Sequence, residues 1–269
     1  MTKDNARSIA GQALSDLAKQ LEQGKSQSLM TFLDTLAKFH RYSFGNVLLI
    51  GMQSPAATRV AGFNTWKKLG RYVRQGEKGI TILAPLIFKS DDKKDDDDQE
   101  ARELRGFKAV TVFDVSQTDG KPLPDIGSVN GDPATYMSKL KDMIAGRRIT
   151  LRYNIIPGGA DGASSGGTIT IRPNQTPAAE FSILVHELAH EMLHKTKERP
   201  KSKTIIETEA EAVAYTVCQS INLAISTSAS DYIQLYDGDE ETLASSLNRI
   251  QTTAAEIIRQ IHQEEKAVA

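Results

Sequence analysis

The sequence predicts an α+β fold in two domains: a helix-plus-small-sheet domain over 1–125, and a second over 126–269 in which a small sheet precedes long helices. Three observations lead there. Apolar residues recur at helical spacing and then in β-rich runs within each half. The stretch TDGKPLPDIGSVNGDP, residues 118–133, is dense in Gly, Pro and Asp and makes the best boundary. The charge is also unevenly divided. The chain carries −1 overall, but residues 1–89 hold 13 Lys and Arg against 5 Asp and Glu, whereas residues 200–269 hold 5 against 11. A basic first third joined to a neutral-to-acidic remainder points to two tasks, one of them the binding of a polyanion.

Taken in order, residues 5–40 read as helix interrupted near Gly24, because Ile9, Leu14, Leu17, Leu21, then Leu29, Phe32, Leu33 and Leu36 fall at helical spacings. Asn46–Met52 continues as a buried apolar segment, and a short helix over Asn64–Leu69 ends near Gly70. Gly79–Phe88 and Phe107–Val115 are β-rich; the charge run between them, SDDKKDDDDQEARE at 90–103, has no apolar face and reads as a solvated hairpin loop. Beyond the boundary come a helix over 133–145, a strand over 149–156, a glycine-rich turn, PGGADGASSGG, and a second strand over 168–172. That turn lacks GxGxxG and no helix follows it directly, so it is a hairpin turn rather than a dinucleotide site. Thr176-Pro177 opens a helix to about His194, followed by helices over about 204–222 and 239–265.

Several classes fall away. No apolar run approaches the ~20 residues that span a bilayer. The N-terminus has no signal-peptide core, and the single cysteine, Cys218, allows no intrachain disulfide. A cytoplasmic protein without membrane partners is expected, with Cys218 in the core.

The strongest chemical signal is His186-Glu187-Leu188-Ala189-His190, an HExxH on an amphipathic helix. With 5 His and 16 Glu in the chain, random placement would produce this pattern in roughly 0.5% of such sequences, so the match carries information. Four residues apart, the imidazoles share one flank with Cβ atoms ~6 Å apart, close enough to hold one Zn²⁺. Glu187, beside the first ligand, can act as general base toward metal-bound water. The third ligand must come from Glu207, Glu209 or Glu211. The apolar stripe of that helix places Glu207 about 70° from its centre, Glu209 about 90° away on the other flank, and Glu211 about 110°. Ala210 and Ala214 permit close helix approach on the Glu207 flank, which selects Glu207 as ligand, Glu211 as hydrogen-bond partner of a ligand histidine, and Glu209 as solvated. His194 continues the histidine row, but three ligands at i, i+4, i+8 span ~12 Å and cannot share one ion, so His194 supports the site from outside the ligand set or lies at the surface. Zn²⁺ is the expected metal, and Mn²⁺ could occupy the same donors.

In the basic third, FNTWKKLGRYVRQGEKG at 63–79 interleaves Lys67, Lys68, Arg71, Arg74 and Lys78 with Phe63, Trp66 and Tyr72. Cations neutralise phosphates and aromatic faces stack on unpaired bases, the pattern of a single-stranded nucleic-acid site. Arg41, Tyr42 and Asn46 belong to a second basic-aromatic patch.

Two segments resemble one family, the ArdC-type antirestriction proteins of mobile elements. The N-terminal part shares an asparagine-led apolar run, Asn46-Val47-Leu48-Leu49, a Trp (here Trp66) before the basic turn Val73-Arg74-Gln75-Gly76-Glu77-Lys78-Gly79, and a strand like Val112–Gln117. The C-terminal part shares HELAH with a following histidine and the acidic helix Glu207–Ala214, which is also similar to the ImmA/IrrE regulatory peptidases. The resemblance implies an N-terminal single-stranded-DNA-binding domain containing the acidic run as an insertion, and a C-terminal zincin-like metallopeptidase domain. It implies single-stranded DNA and an unidentified protein substrate as partners. Two other outcomes stay open: a regulatory protease that cleaves a repressor, and a non-enzymatic DNA-binding protector whose metal is structural.

Overall fold

The computed structural model describes residues 3–23, 27–89, 102–123, 133–195, 200, 202–224 and 240–263. Residues 90–101 of the acidic run and most of the 118–133 stretch lie outside the described residues, while 102–103 already belong to a strand. In chain order the elements are α1 (Lys3–Glu22), α2 (Gln27–Lys38), α3 (Phe44–Gln53), β1 (Val60–Gly62), α4 (Phe63–Lys68), β2 (Arg71–Val73), β3 (Ile80–Lys89), β4 (Arg102–Asp114) and β5 (Thr118–Gly120). They continue with α5 (Ala134–Gly146), β6 (Thr150–Tyr153), β7 (Gly162–Ser164), β8 (Thr168–Ile171), α6 (Pro177–Leu193), α7 (Lys203–Ser220) and α8 (Glu240–His262).

Helices and strands are mixed, and the described residues divide into two compact units: those within 1–13 and 48–123 form one, those within 14–47 and 124–267 the other. One division therefore falls at Leu123/Pro124, next to the predicted boundary at 125. Residues 14–47, expected with the first domain, instead pack with the second: the buried face of α2, Leu29, Phe32, Leu33 and Leu36, meets α7. Amphipathic periodicity shows that a helix buries a face; it does not say against which partner.

In the first unit, the long β3–β4 hairpin and β1 form an antiparallel sheet in the order β1-β4-β3, and β2 pairs with β5. The one-residue Gly79 lead-in to β3 has a packing reason. A Cβ there would stand 2.1 Å from Thr111 Cγ2. Asp114 ends β4 by accepting hydrogen bonds from Thr58, Arg59 and Ser116 N–H. Burial pushes its pKa up, but these donors prevail and hold it below the usual carboxylate range.

In the second unit, β8 is central: β6 joins it in parallel and β7 antiparallel. The glycine-rich segment read as a turn thus contains a strand, β7, missed because GAS has no β-branched residue to mark it. What holds it is Glu191 of α6, whose carboxylate accepts from Ser164 Oγ at 2.6 Å, Gly166 N–H at 2.9 Å and Gly167 N–H at 2.8 Å. α6 starts on Thr176, whose Oγ1 accepts from Ala179 N–H, with Pro177 in the first turn. It buries Phe181, Leu184, Val185 and Leu188 completely and packs on β7, β8 and α7; α7 is in turn covered by α8 and α2.

Candidate metal centre and nucleic-acid face

α6 presents His186 and His190 one turn apart, and α7 brings Glu207 across from them. Their donor atoms form a triangle: His186 Nε2 to His190 Nε2 is 3.0 Å, His190 Nε2 to Glu207 Oε2 3.4 Å, and His186 Nε2 to Glu207 Oε2 3.6 Å. Ligands held tetrahedrally at the Zn–N and Zn–O distances of ~2.0–2.1 Å stand about 3.3 Å apart. The three edges bracket that value, so the donor set fits a divalent ion, and these three are a metal-competent cluster among the described residues. Burial lowers the pKa of His186, but hydrogen bonds to Glu207 and Glu211 and the charge of Glu187 outweigh it and push it up to about 9. Burial, followed by the His186 charge, pushes His190 down to about 4. Its hydrogen bond to His186 holds Glu207 down at about 2.

Each of the two histidines has an outer partner. His186 Nδ1 lies 3.3 Å from Glu211 Oε2, and His190 Nδ1 lies 3.0 Å from Nδ1 of His194. Such contacts hold the ring orientation and tautomer that leave Nε2 for metal. His194 is 3% exposed and touches Glu209, so the surface alternative for it is removed. Glu209 itself corrects the expectation of a solvated side chain. It is fully buried, 3.1 Å from His194 Nε2 and ion-paired with Arg249 of α8. The flank opposite the alanines faces α8 rather than water.

Glu187 is 7% exposed, and burial raises its pKa. Its carboxylate rests on β7. A Cβ on Gly162 would be 2.6 Å from Glu187 Oε1 and 2.9 Å from its Cγ. Sequence reasoning missed Gly162 as well as Arg249; one glycine of the five in residues 157–167 gave no signal, and no local spacing linked α8 to α7. Cys218 is fully buried, and burial pushes its thiol up to about 12, which suits core rather than nucleophile.

The basic segment behaves differently. Trp66, expected to stack on a base, is 1% exposed and its indole N–H donates to the Phe113 carbonyl at 2.9 Å. It is core, because α4 closes over the sheet with that face inward. Two of the expected phosphate ligands are engaged by the fold. Arg71 donates to Thr118 Oγ1, Thr118 O and Lys121 O, tying β2 to β5. Arg74 donates to Glu77, Ser116 O and Asp119. Lys67, Lys68, Lys78 and Tyr72 are exposed, and so is Phe63, at 53% against 58% for Tyr72. Arg41, Tyr42 and Asn46 belong to the other unit. There Arg41 is exposed, Tyr42 is half-buried with its ring edge-on to Phe39, and Asn46 is buried at the start of α3.

Residues 6–113 match the family model described as the N-terminal domain of anti-restriction factor ArdC. By this match residues 6–113 make an N-terminal domain of the ArdC type. The fold agrees: the crystal structure of the metal-free antirestriction ArdC protein from plasmid R388 aligns over 95% of this chain and 98% of that one, with TM-score 0.54 and 17% identity. Its Mn(II)-bound structure aligns over 82% of this chain and 89% of that one, with TM-score 0.46 and 20% identity. An uncharacterized Bacillus anthracis protein is 26% identical over 305 aligned positions, which cover 96% of this chain. The chain spans about half the length of that relative, 51%. The ArdC-type domain takes in the segment 63–79 and stops well before the metal centre, so the match bears on the basic face alone. Among the described residues, no helix is long and apolar enough to cross a membrane.

Proposed function

We propose that this ArdC-type protein is a metal-dependent peptidase with a zincin-like C-terminal domain, joined to a region that binds single-stranded DNA. The observation that carries the first half is the donor triangle of His186, His190 and Glu207 with a buried carboxylate, Glu187, next to it in sequence. Zn²⁺, or Mn²⁺ on the same donors, would supply an acidified water and a counter-charge for the developing oxyanion. The chain's own part is to hold that ion through three side chains and to accept the proton of the attacking water on Glu187. Burial raises the basicity of Glu187, in the direction a general base requires. The side chain of Glu207 is 52% exposed, so the centre faces solvent on one side; this favours a catalytic over a structural ion. The DNA half rests on the surplus of cations in residues 1–89 and on the exposure of Lys67, Lys68, Phe63 and Tyr72.

The test is metal content and hydrolysis of an unstructured protein, with and without single-stranded DNA. Protein purified without chelator should hold about one divalent ion per chain. His186→Ala and His190→Ala should lose it, and Glu187→Gln should keep it while hydrolysis stops. Metal retained in both histidine variants would remove the centre; hydrolysis surviving in Glu187→Gln would remove Glu187 as base. Cleavage of a repressor that needs no DNA would favour the regulatory-protease alternative.

A further inference from the structure

Glu209 is the fully buried carboxylate of α7, and its surroundings are polar on two sides. From α8, Arg249 Nη2 donates to Oε1 and Nε lies 3.4 Å from Oε2; from α6, His194 Nε2 lies 3.1 Å from Oε2. Ser246 also contributes through its contact with Arg249, 3.1 Å from Nη2. The path continues inward, since His194 Nδ1 meets His190 Nδ1 at 3.0 Å and His190 Nε2 points to His186 and Glu207.

Hydrogen-bond bookkeeping gives this path a direction. A carboxylate ion-paired with a guanidinium only accepts, so His194 Nε2 must donate to it. A neutral His194 then has a bare Nδ1, which accepts from His190, so His190 carries its hydrogen on Nδ1. Its Nε2 is left with a lone pair facing the other two donors. The opposite direction would put an N–H where a metal bond has to form. Arg249 selects the first arrangement, because it keeps Glu209 an acceptor.

We propose that Glu209, anchored by Arg249, is a positioning residue that acts through His194 to hold His190 in its metal-binding tautomer. This rests on the metal-centre reading above and adds α8 to the parts that set the affinity.

The substitution Glu209→Gln tests it with almost no change of shape. Arg249 still needs an acceptor, so the amide oxygen turns to it and the amide NH₂ faces His194. Every hydrogen bond inward then reverses, and His190 presents Nε2–H to the centre. Zn²⁺ affinity of the full chain, measured by competition with a chelating dye, should fall about 10–100-fold. Adding Arg249→Met frees the amide to turn its oxygen to His194, so the double variant should regain part of the lost affinity. Plain structural damage predicts the reverse, with the double variant weaker than the single. Melting of the metal-free proteins and Co²⁺ absorption of the loaded ones accompany each titration. If Glu209→Gln does not fold, His194→Phe removes the link while leaving the Glu209–Arg249 pair, with the same 10–100-fold loss expected. Wild-type affinity in the folded Glu209→Gln or His194→Phe chain, or a double variant weaker than Glu209→Gln, overturns the proposal. A wild-type chain that takes up no Zn²⁺ overturns the metal-centre reading itself, and this proposal with it.

Discussion

The metal centre and the segment 63–79 are both dense in chemistry-bearing side chains, but they are built differently. At the centre, His186, Glu187 and His190 stand within five residues of one 17-residue helix, and Glu207 sits on an 18-residue helix packed against it. The segment 63–79 crosses a six-residue helix, a three-residue strand and two turns before β3, and each of these sends its side chains to a different task. Trp66 fills the core, Arg71 and Arg74 fasten β2 and its turn to their neighbours, and Lys67, Lys68 and Tyr72 face solvent. Residues on one long helix keep a shared surface; residues spread over short elements do not.

The largest effect should come from Trp66→Ala. A buried tryptophan that also donates a hydrogen bond should cost ~3–5 kcal/mol of stability, read as a lower melting temperature, whereas Phe63→Ala and Tyr72→Ala should leave melting nearly unchanged and instead weaken single-stranded DNA binding by ~1–3 kcal/mol each. Unchanged melting in Trp66→Ala would return that ring to the DNA face.

At the centre, Glu207→Ala should lower metal affinity by more than about 100-fold, and Glu211→Ala by about 10–100-fold through the His186 ring it contacts. Equal losses in the two, measured by the same metal competition, would mean that Glu207 is not the third donor. A smaller, graded effect is expected from pH. Because the His186 pKa is raised to about 9, its proton is present at neutral pH and must leave when metal binds. Affinity should rise about tenfold per pH unit between about 7 and 9 and then level off. A flat profile there would show that no such proton is displaced.

The smallest effects should separate the cations of the first unit. Lys67→Ala or Lys68→Ala should each reduce the salt slope of DNA binding by less than about one unit, while Arg74→Ala should change it less, its guanidinium already being held by Glu77 and Asp119. A slope change in Arg74→Ala exceeding that of Lys67→Ala would make the arginine a phosphate ligand despite its internal bonds.

Much of this molecule is legible in its sequence. The positions of His186 and His190 on one flank, with Glu187 beside them, follow from helix geometry alone, because hydrogen bonds between residues four apart turn sequence spacing into spatial spacing. The same geometry, with the small Ala210 and Ala214, turned Glu207 toward the histidines. What the sequence by itself could not decide was which element covers each remaining face. Glu209 lies on the flank that an isolated α7 would expose, and it is buried because α8, some forty residues on, closes there with Arg249 opposite. Trp66 is inside and Phe63 outside although both belong to one turn-and-a-half of helix, a choice made by the sheet beneath α4. Gly162 gains its meaning from α6, whose Ile183 and Glu187 side chains occupy the space of its missing Cβ. These depend on contacts between residues far apart in sequence, where burial and close packing select the partner and no local periodicity records it.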